Sequence, residues 1–213
     1  MIVIIFFSLF MPAKADNDQL NIDSFSKGTD EKGIPVGWEL QEKKGIPRIK
    51  LEKEEDTHVL HLVSEKSSFG LIKTINIDIK KYPYINFRWK VIDLPKDGDF
   101  RKKETDDQAA QLYVVFGSFS ITATIVGYLW ESKVPQLTTG VGSTWSKIHI
   151  IVLQSGTEKI GQWMYEKRNI YKDYQDLFDK EPTNAKLISL YINSQHTKSR
   201  AESYFGEIYF SKK

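Results

Sequence analysis

YINFRWKVIDLPKDGDFRKKETDDQAAQLYVVF, residues 84–116, is the stretch on which the fold turns. Ile85, Phe87, Trp89 and Val91 alternate with Asn86, Arg88 and Lys90. After a long charged connector, Leu112, Val114 and Phe116 alternate with Gln111, Tyr113 and Val115. A period of two is the signature of a strand with one buried face. Trp89, flanked by Phe87 and Val91, belongs to the apolar face and is expected in the core. The other faces carry Arg88, Lys90 and Tyr113 rather than the Lys, Glu and Thr of an ordinary solvated strand. If the two strands share a sheet, these side chains look out over one surface.

Outward from there, strand segments recur at short intervals. They are expected at 46–53, 58–64, 70–79, 123–131, 146–155, 161–167, 186–193 and 204–211. Trp38, in the Gly/Pro-rich run 33–39, reads as an indole plugged into the core from an edge segment. One helix is expected after Asn169, a capping residue. Tyr171, Tyr174, Leu177 and Phe178 follow on one helical face, and Glu181-Pro182 stops it. Short alternating strands without a βα rhythm predict an all-β fold. About nine or ten strands and one short helix suit a jelly-roll-like β-sandwich, one sheet of which leaves a concave face.

Composition narrows the function. The chain has 213 residues, no cysteine and a net charge of +2. It opens MIVIIFFSLFMPAKA, an apolar run from Ile2 to Phe10 followed by Ala13-Lys14-Ala15. That reads as a signal peptide over 1–15, and as a single domain over 16–213. The run is shorter than the ~20 residues of a membrane span, so no transmembrane segment is expected after cleavage. Removing 1–15 takes away one base, Lys14, and no acid. The near-neutral remainder argues against nucleic acid, which needs a clustered basic surface. Lack of cysteine excludes disulfides and thiolate zinc sites. A periplasmic or secreted bacterial protein, monomeric, is the expected setting.

Catalytic motifs are missing: there is no HExxH, no GxSxG and no cysteine nucleophile. His58 and His61 are three apart on a strand and point to opposite faces, so they cannot share a metal. Residues 140–145 hold two glycines without the third of a dinucleotide loop, and read as a turn. No cofactor and no metal ligand set is expected. Carboxylates crowd the 97–107 loop, where a solvated loop and a calcium site are both open readings. Glu131, Glu166 and Asp173 are the candidates for an acid/base pair acting on a glycan.

The richest constellation is WMYEKRNIYKDY, residues 163–174. Glu166 and Arg168 share a strand face with Met164. Arg168 can pair with Asp173 and tie helix to sheet. Alternatively Arg88, Lys90, Tyr113, Tyr128, Glu166 and Arg168 meet on the concave face as ligand-binding residues. Aromatic rings among charged hydrogen-bonding groups suit a carbohydrate or another polar small ligand. A non-catalytic binding module is the expected class. A glycan-active hydrolase or lyase using carboxylates in the same groove is the alternative.

FRWKV (87–91), GDFRKKETDDQAAQLYVVF (98–116), EKRNIYKDYQDLF (166–178) and AESYFGEIYF (201–210) together resemble the bacterial family named domain of unknown function 3047. The resemblance runs from Asp23 to Ser211. It implies an exported single-domain β-sandwich, similar in outline to jelly-roll carbohydrate-binding modules, and no particular activity. Where many members are similar to an acidic T-D-x-D-N-T run, this chain reads Asn193-Ser194-Gln195-His196-Thr197. The acids that a metal or cationic ligand would use there are missing.

Overall fold

The computed structural model describes residues 17–117, 123–143 and 146–213; the leader expected over 1–15 and part of the turn at 117–119 lie outside them. The fold is the expected jelly-roll-like β-sandwich, with thirteen strands and one α-helix among the described residues. In chain order the strands are β1 (Gln19–Asp23), β2 (Glu39–Lys44), β3 (Arg48–Glu54), β4 (Thr57–Glu65), β5 (Ser68–Ile77) and β6 (Tyr84–Asp93). Then come β7 (Ala110–Phe116), β8 (Thr124–Glu131), β9 (Thr139–Val141), β10 (Ile148–Ser155) and β11 (Met164–Asn169). Helix α1 (Ile170–Phe178), β12 (Ala185–Asn193) and β13 (Arg200–Ser211) complete the chain.

One sheet has six strands, β11-β6-β13-β4-β3 with β1 also on β13. The other has seven, β2-β5-β12-β7-β8-β10-β9. Among the described residues every strand pairing is antiparallel except that of β8 with β10. Strands β1, β2 and β9 go beyond those read from the sequence. ELQEKK in β2 is a charged edge strand, as edges that avoid further pairing tend to be, and β9 uses Gly140 from the run read as a turn.

The two strands of the opening stretch do not share a sheet: β6 lies in the six-stranded sheet and β7 in the seven-stranded one. The connector 94–109 is too long for a hairpin, whose loops run to about 2–5 residues, and it carries the chain across the sandwich instead. Both apolar faces then turn inward. Trp89 is fully buried, edge-on to Phe87 at 5.1 Å and to Trp130 of the facing sheet at 6.1 Å. It is core, as its neighbours predict. Trp38 is buried too, and its Nε1 donates to Asp23 Oδ2 at 2.8 Å. Asp23 also accepts from Lys73 Nζ at 2.7 Å and from the Phe25 amide at 2.7 Å. Burial pushes the Asp23 carboxyl up, but those three donors outweigh it and hold it below its ordinary value.

Asn169 caps α1, its side chain accepting from the Lys172 amide at 3.0 Å. The helix ends at Phe178, ahead of the expected stop, because Asp179 takes the left-handed conformation (φ 51°) and returns its amide to Gln175. Tyr174 packs its ring against Phe116 at 4.7 Å, which holds the helix to the seven-stranded sheet.

Candidate functional site

The six expected ligand-binding residues are divided among three places. Arg88 and Lys90 lie on the outward face of the six-stranded sheet and Tyr113 on the outward face of the seven-stranded one. Glu166, Arg168 and Tyr128 face the interior. Strand β11 turns Met164, Glu166 and Arg168 inward together, as the alternation required. Glu166 accepts from Trp89 Nε1 at 3.2 Å and from Gln154 Nε2 at 2.7 Å. Arg168 grips Asp173 with two bonds of 3.0 and 2.6 Å, the helix-to-sheet tie. Tyr128, fully buried, donates to the same Asp173 at 2.7 Å. Burial first, and Asp173 second, push the Tyr128 hydroxyl well above its ordinary range. The single binding face expected of these six residues is therefore corrected: crossover of the 94–109 connector separates Arg88 and Lys90 from Tyr113, and strand parity takes the other three inside.

On the six-stranded face the cations are already accommodated. Lys90 sits 4.7 Å from the Trp163 ring and 4.5 Å from the Tyr204 ring, and donates to Glu54. Arg88 also stacks on the Trp163 ring, at 4.5 Å, and donates to Thr57 at 2.8 Å. Glu54 also accepts from Trp163 Nε1 at 2.7 Å. Beyond them His61 stacks parallel on Tyr204 at 4.2 Å, its two ring nitrogens 2.9 and 2.8 Å from Glu52 and Glu202. Gly206 lets the Arg88 stem lie on the sheet, since a Cβ there would fall 2.3 Å from Nε.

The seven-stranded face holds a groove of about 460 Å³. Two tyrosines define its middle. Tyr191 on β12 lies diagonal to Tyr113 on β7, because Tyr191 pairs with Gln111 and Ser189 with Tyr113. Each ring occupies the space that a side chain on the next strand would fill. A Cβ at Gly127 would fall 2.7 Å from Tyr113 Cε1, and one at Gly70 would fall 2.3 Å from Tyr191 Cδ2. Mid-strand glycines of this kind mark a close approach. Tyr113 donates to Gln111 Oε1 at 2.5 Å, and the hydroxyls of Tyr191 and Ser68 are 2.5 Å apart. Burial, helped by Asp106, pushes the Tyr113 hydroxyl well above its ordinary value, so it stays a donor.

One end of the groove is a network of neutral amides. Asn193 Oδ1 accepts from the Gln108 amide at 2.9 Å and from Gln111 Nε2 at 2.7 Å, while its Nδ2 donates to the Asp106 carbonyl at 2.6 Å. Gln108 Nε2 donates at 3.1 Å to both Asp106 Oδ1 and Glu131 Oε1. Glu131 is fully buried and also accepts from the amides of Phe100 and Ser132. Burial is the main cause that raises its carboxyl to about 7, with Asp99 adding to it.

The 94–109 connector forms the wall here. Phe100 plugs into a small cluster with Leu129, Val134, Ile150 and Val152, and packs on Gly140. Its carboxylates are turned to separate partners: Asp97 to Lys133, Asp99 to Arg101, Asp106 to Ser143, and Asp107 to the amide and hydroxyl of Thr197. Among the described residues no group of His, Asp or Glu could hold a metal. A larger hollow of about 760 Å³ opens beside Trp38 at the edge strands β2 and β3. Its Asp30 is spent on the amides of Lys32 and Ile34.

Gln111, Ser189, Tyr191 and Asn193 line this groove and were not among the ligand-binding residues expected from the sequence. The alternation of KLISLYIN (186–193) puts Ser189, Tyr191 and Asn193 on one face, and it and the glycines opposite the tyrosines were the available signals.

In outline the sandwich is similar to the family 11 carbohydrate-binding module of Clostridium thermocellum in complex with a β-1,3-1,4-mixed-linked tetrasaccharide (10% identity over 91% of this chain and 95% of that one, TM-score 0.48). It is also similar to CBM27-1 of Caldicellulosiruptor saccharolyticus in complex with mannohexaose (11%, 92% and 98%, TM-score 0.45). A third likeness is the xyloglucanase domain of NopAA, a type three effector from Sinorhizobium fredii (11%, 83% and 94%, TM-score 0.48). No curated protein matches the sequence. Among the described residues no helix is long and apolar enough to cross a membrane. Residues 36–209 match the family described as "Protein of unknown function (DUF3047)", and the chain belongs to that family.

Proposed function

We propose that the protein is an exported binding module that receives a carbohydrate, or a polar small molecule of similar hydroxyl chemistry, in the groove of the seven-stranded sheet. The observation that carries the reading is the pair Tyr113 and Tyr191, each seated over a glycine, beside a network of amides and hydroxyls facing one hollow. Aromatic surface next to fixed neutral hydrogen-bonding groups matches a sugar, which is apolar on its ring faces and polar at its rim. Export is motivated by the apolar run 2–10 and the A-K-A that follows it.

A glycan-active enzyme has one observation in its favour. Glu131, raised to about 7, shares the Gln108 amide with Asp106, so two carboxylates lie close together at one end of the groove. Glu131 is fully buried, however, and a general acid must reach the leaving oxygen. Glu166 and Asp173 face the interior, away from the groove. Binding without turnover is the better-supported class.

A glycan-binding screen on the leaderless protein, with reducing ends assayed in the same wells, tests both readings. Tyr113→Ala and Tyr191→Ala are expected to weaken binding at least tenfold while the protein stays folded. Binding that survives both changes would remove the groove from consideration, and release of reducing ends abolished by Asp106→Asn would favour the enzyme.

A further inference from the structure

The strand register grades the groove from polar to aliphatic. At one end Ser68 pairs with Asn193, beside Asp106, Gln108 and Lys43. Next comes the tyrosine belt, Tyr191 beside Gln111 and Ser189 beside Tyr113. The following row runs Leu187, Val115, Ile125 and Ile148 across four neighbouring strands, with Ile72 and Ile150 at its border. No side chain in that row carries a polar atom. Leu187, Val115 and Ile125 are nearly closed off, together with Ala123, whereas Ile72 and Ile148 are half-buried at the rim. The surface this end offers a ligand is therefore chiefly that of Ile72 and Ile148 at the rim, over a floor of Leu187, Val115 and Ile125; we call it the slot.

A free oligosaccharide has hydroxyls around every ring. Over the aliphatic row they would lose water and gain no partner, at a cost larger than the ring-face contact returns. A molecule matching the whole groove has a hydroxylated head for the amide end and an apolar tail for the slot. At about 460 Å³ the hollow suits a ligand of drug-like size, such as one sugar ring with a short chain, and not an extended polysaccharide.

We infer that the groove takes an amphiphile, a sugar-like headgroup carrying a short aliphatic chain, with the head against Asn193, Gln111 and Tyr191 and the chain along Leu187, Val115, Ile125 and Ile148. The inference rests on the groove being the binding site, and specifies the ligand class that fills it.

The test is isothermal titration of the leaderless protein with n-alkyl β-D-glucosides, galactosides and mannosides from methyl to octyl, each below its micelle concentration, with 1-octanol as the headless control. Affinity is expected to rise about fourfold per added methylene until the slot is full, with an increasingly negative heat-capacity change. Ile148→Ser, at the half-buried rim, is expected to flatten that rise and to weaken the octyl glycosides far more than the methyl ones. Leu187→Ala, deeper in the slot, should flatten it too. Methyl glycosides that bind with no gain from longer chains would overturn this inference and leave the carbohydrate reading standing. No binding by any series would overturn both. Octanol binding as tightly as an octyl glycoside would also overturn it, because the head would then contribute nothing.

Discussion

On the six-stranded sheet Lys90 is held between Trp163 and Tyr204 and donates to Glu54; on the seven-stranded sheet Tyr113 and Tyr191 lean over glycines, beside neutral amides that face a hollow. Both outward faces combine rings with hydrogen-bonding groups, and the difference lies in what those groups already touch. A cation between two rings, paired with a carboxylate, has little left to offer a ligand. The neutral amides are bonded to one another as well, but they border a hollow and carry no charge that an entering ligand would have to displace. The rings of the first face are bound by the protein's own charges, and those of the second border open space.

Both faces hang on one core, which predicts the largest effect. Trp89 packs against Trp130 of the opposite sheet and Phe205 of its own. Trp89→Ala is expected to lose about 3–5 kcal/mol, measured by denaturant unfolding, with the two faces melting together. Two separate transitions would break the comparison, since each sheet would then be supporting its own face.

The faces should respond to pH with opposite sign. Burial holds Glu131 up at about 7, against an ordinary value of 4.5. Its contribution to stability is therefore full below about 4.5 and is lost as pH rises toward 7, a change of about 3 kcal/mol. For Glu54 on the other face, burial also pushes upward. Hydrogen bonds from Lys90 and Trp163 outweigh it and hold the carboxyl below 4.5. Its contribution is present above its ordinary value and fades as pH falls through the lowered one. Glu131→Gln should flatten the stability profile between about pH 4.5 and 7, and Glu54→Gln only the acid limb. A Glu131→Gln protein with the wild-type slope in that window would show that this carboxylate does not titrate there.

Glycines sharpen the contrast further. Alanine at Gly70 would place its Cβ 2.3 Å from Tyr191 Cδ2 and 2.9 Å from the Leu190 carbonyl oxygen, which is backbone. Tyr191 must move and the strand must give, so Gly70→Ala should cost about 1–3 kcal/mol and remove sugar binding. Alanine at Gly206 meets Arg88 side-chain atoms alone among its three nearest neighbours. That side chain can swing aside, so Gly206→Ala should cost under about 1 kcal/mol and leave binding intact. Equal losses in thermal melts of the two variants would erase the distinction drawn between the faces.

Much of this was legible in the chain. Alternation in β6 and β7 gave those strands and their buried faces, β8 and β12 were legible as strands, and Asn169 and Arg168 announced the helix cap and its tie to Asp173. Alternation also assigned each side chain to a face of its own strand. It is silent on which sheet a strand joins, because the inside–outside pattern of one strand is the same whichever sheet it pairs into; the length of the 94–109 connector was the signal for a crossover. For that reason Arg88 and Tyr113 read as neighbours when they stand on opposite sheets. Glu166, Arg168 and Tyr128 were misplaced for another reason: charged and phenolic side chains read as surface, although paired ones can be buried once Asp173, Trp89 and Gln154 supply partners.

The smallest expected effect belongs to Arg88. Removing the arginine partner of a buried carboxylate strands that charge, at up to about 3–5 kcal/mol, and buried Asp173, gripped twice by half-buried Arg168, fits that description. Arg88 donates to a hydroxyl, Thr57 Oγ1, and its Nε has no partner. Its other ties are the stack on Trp163, worth about 0.5–1 kcal/mol at an exposed site, and a longer-range attraction to Glu54, which Lys90 already neutralises. Arg88→Ala should therefore lower stability by no more than about 1 kcal/mol and leave sugar binding at the wild-type affinity, because the groove lies on the other sheet. Thermal melts and titration calorimetry on the same preparation check both halves. Lost binding with an unchanged melt would move the ligand to the six-stranded face, and a melt as depressed as that of Trp89→Ala would mean that Arg88 anchors a charge network the Thr57 bond alone does not reveal.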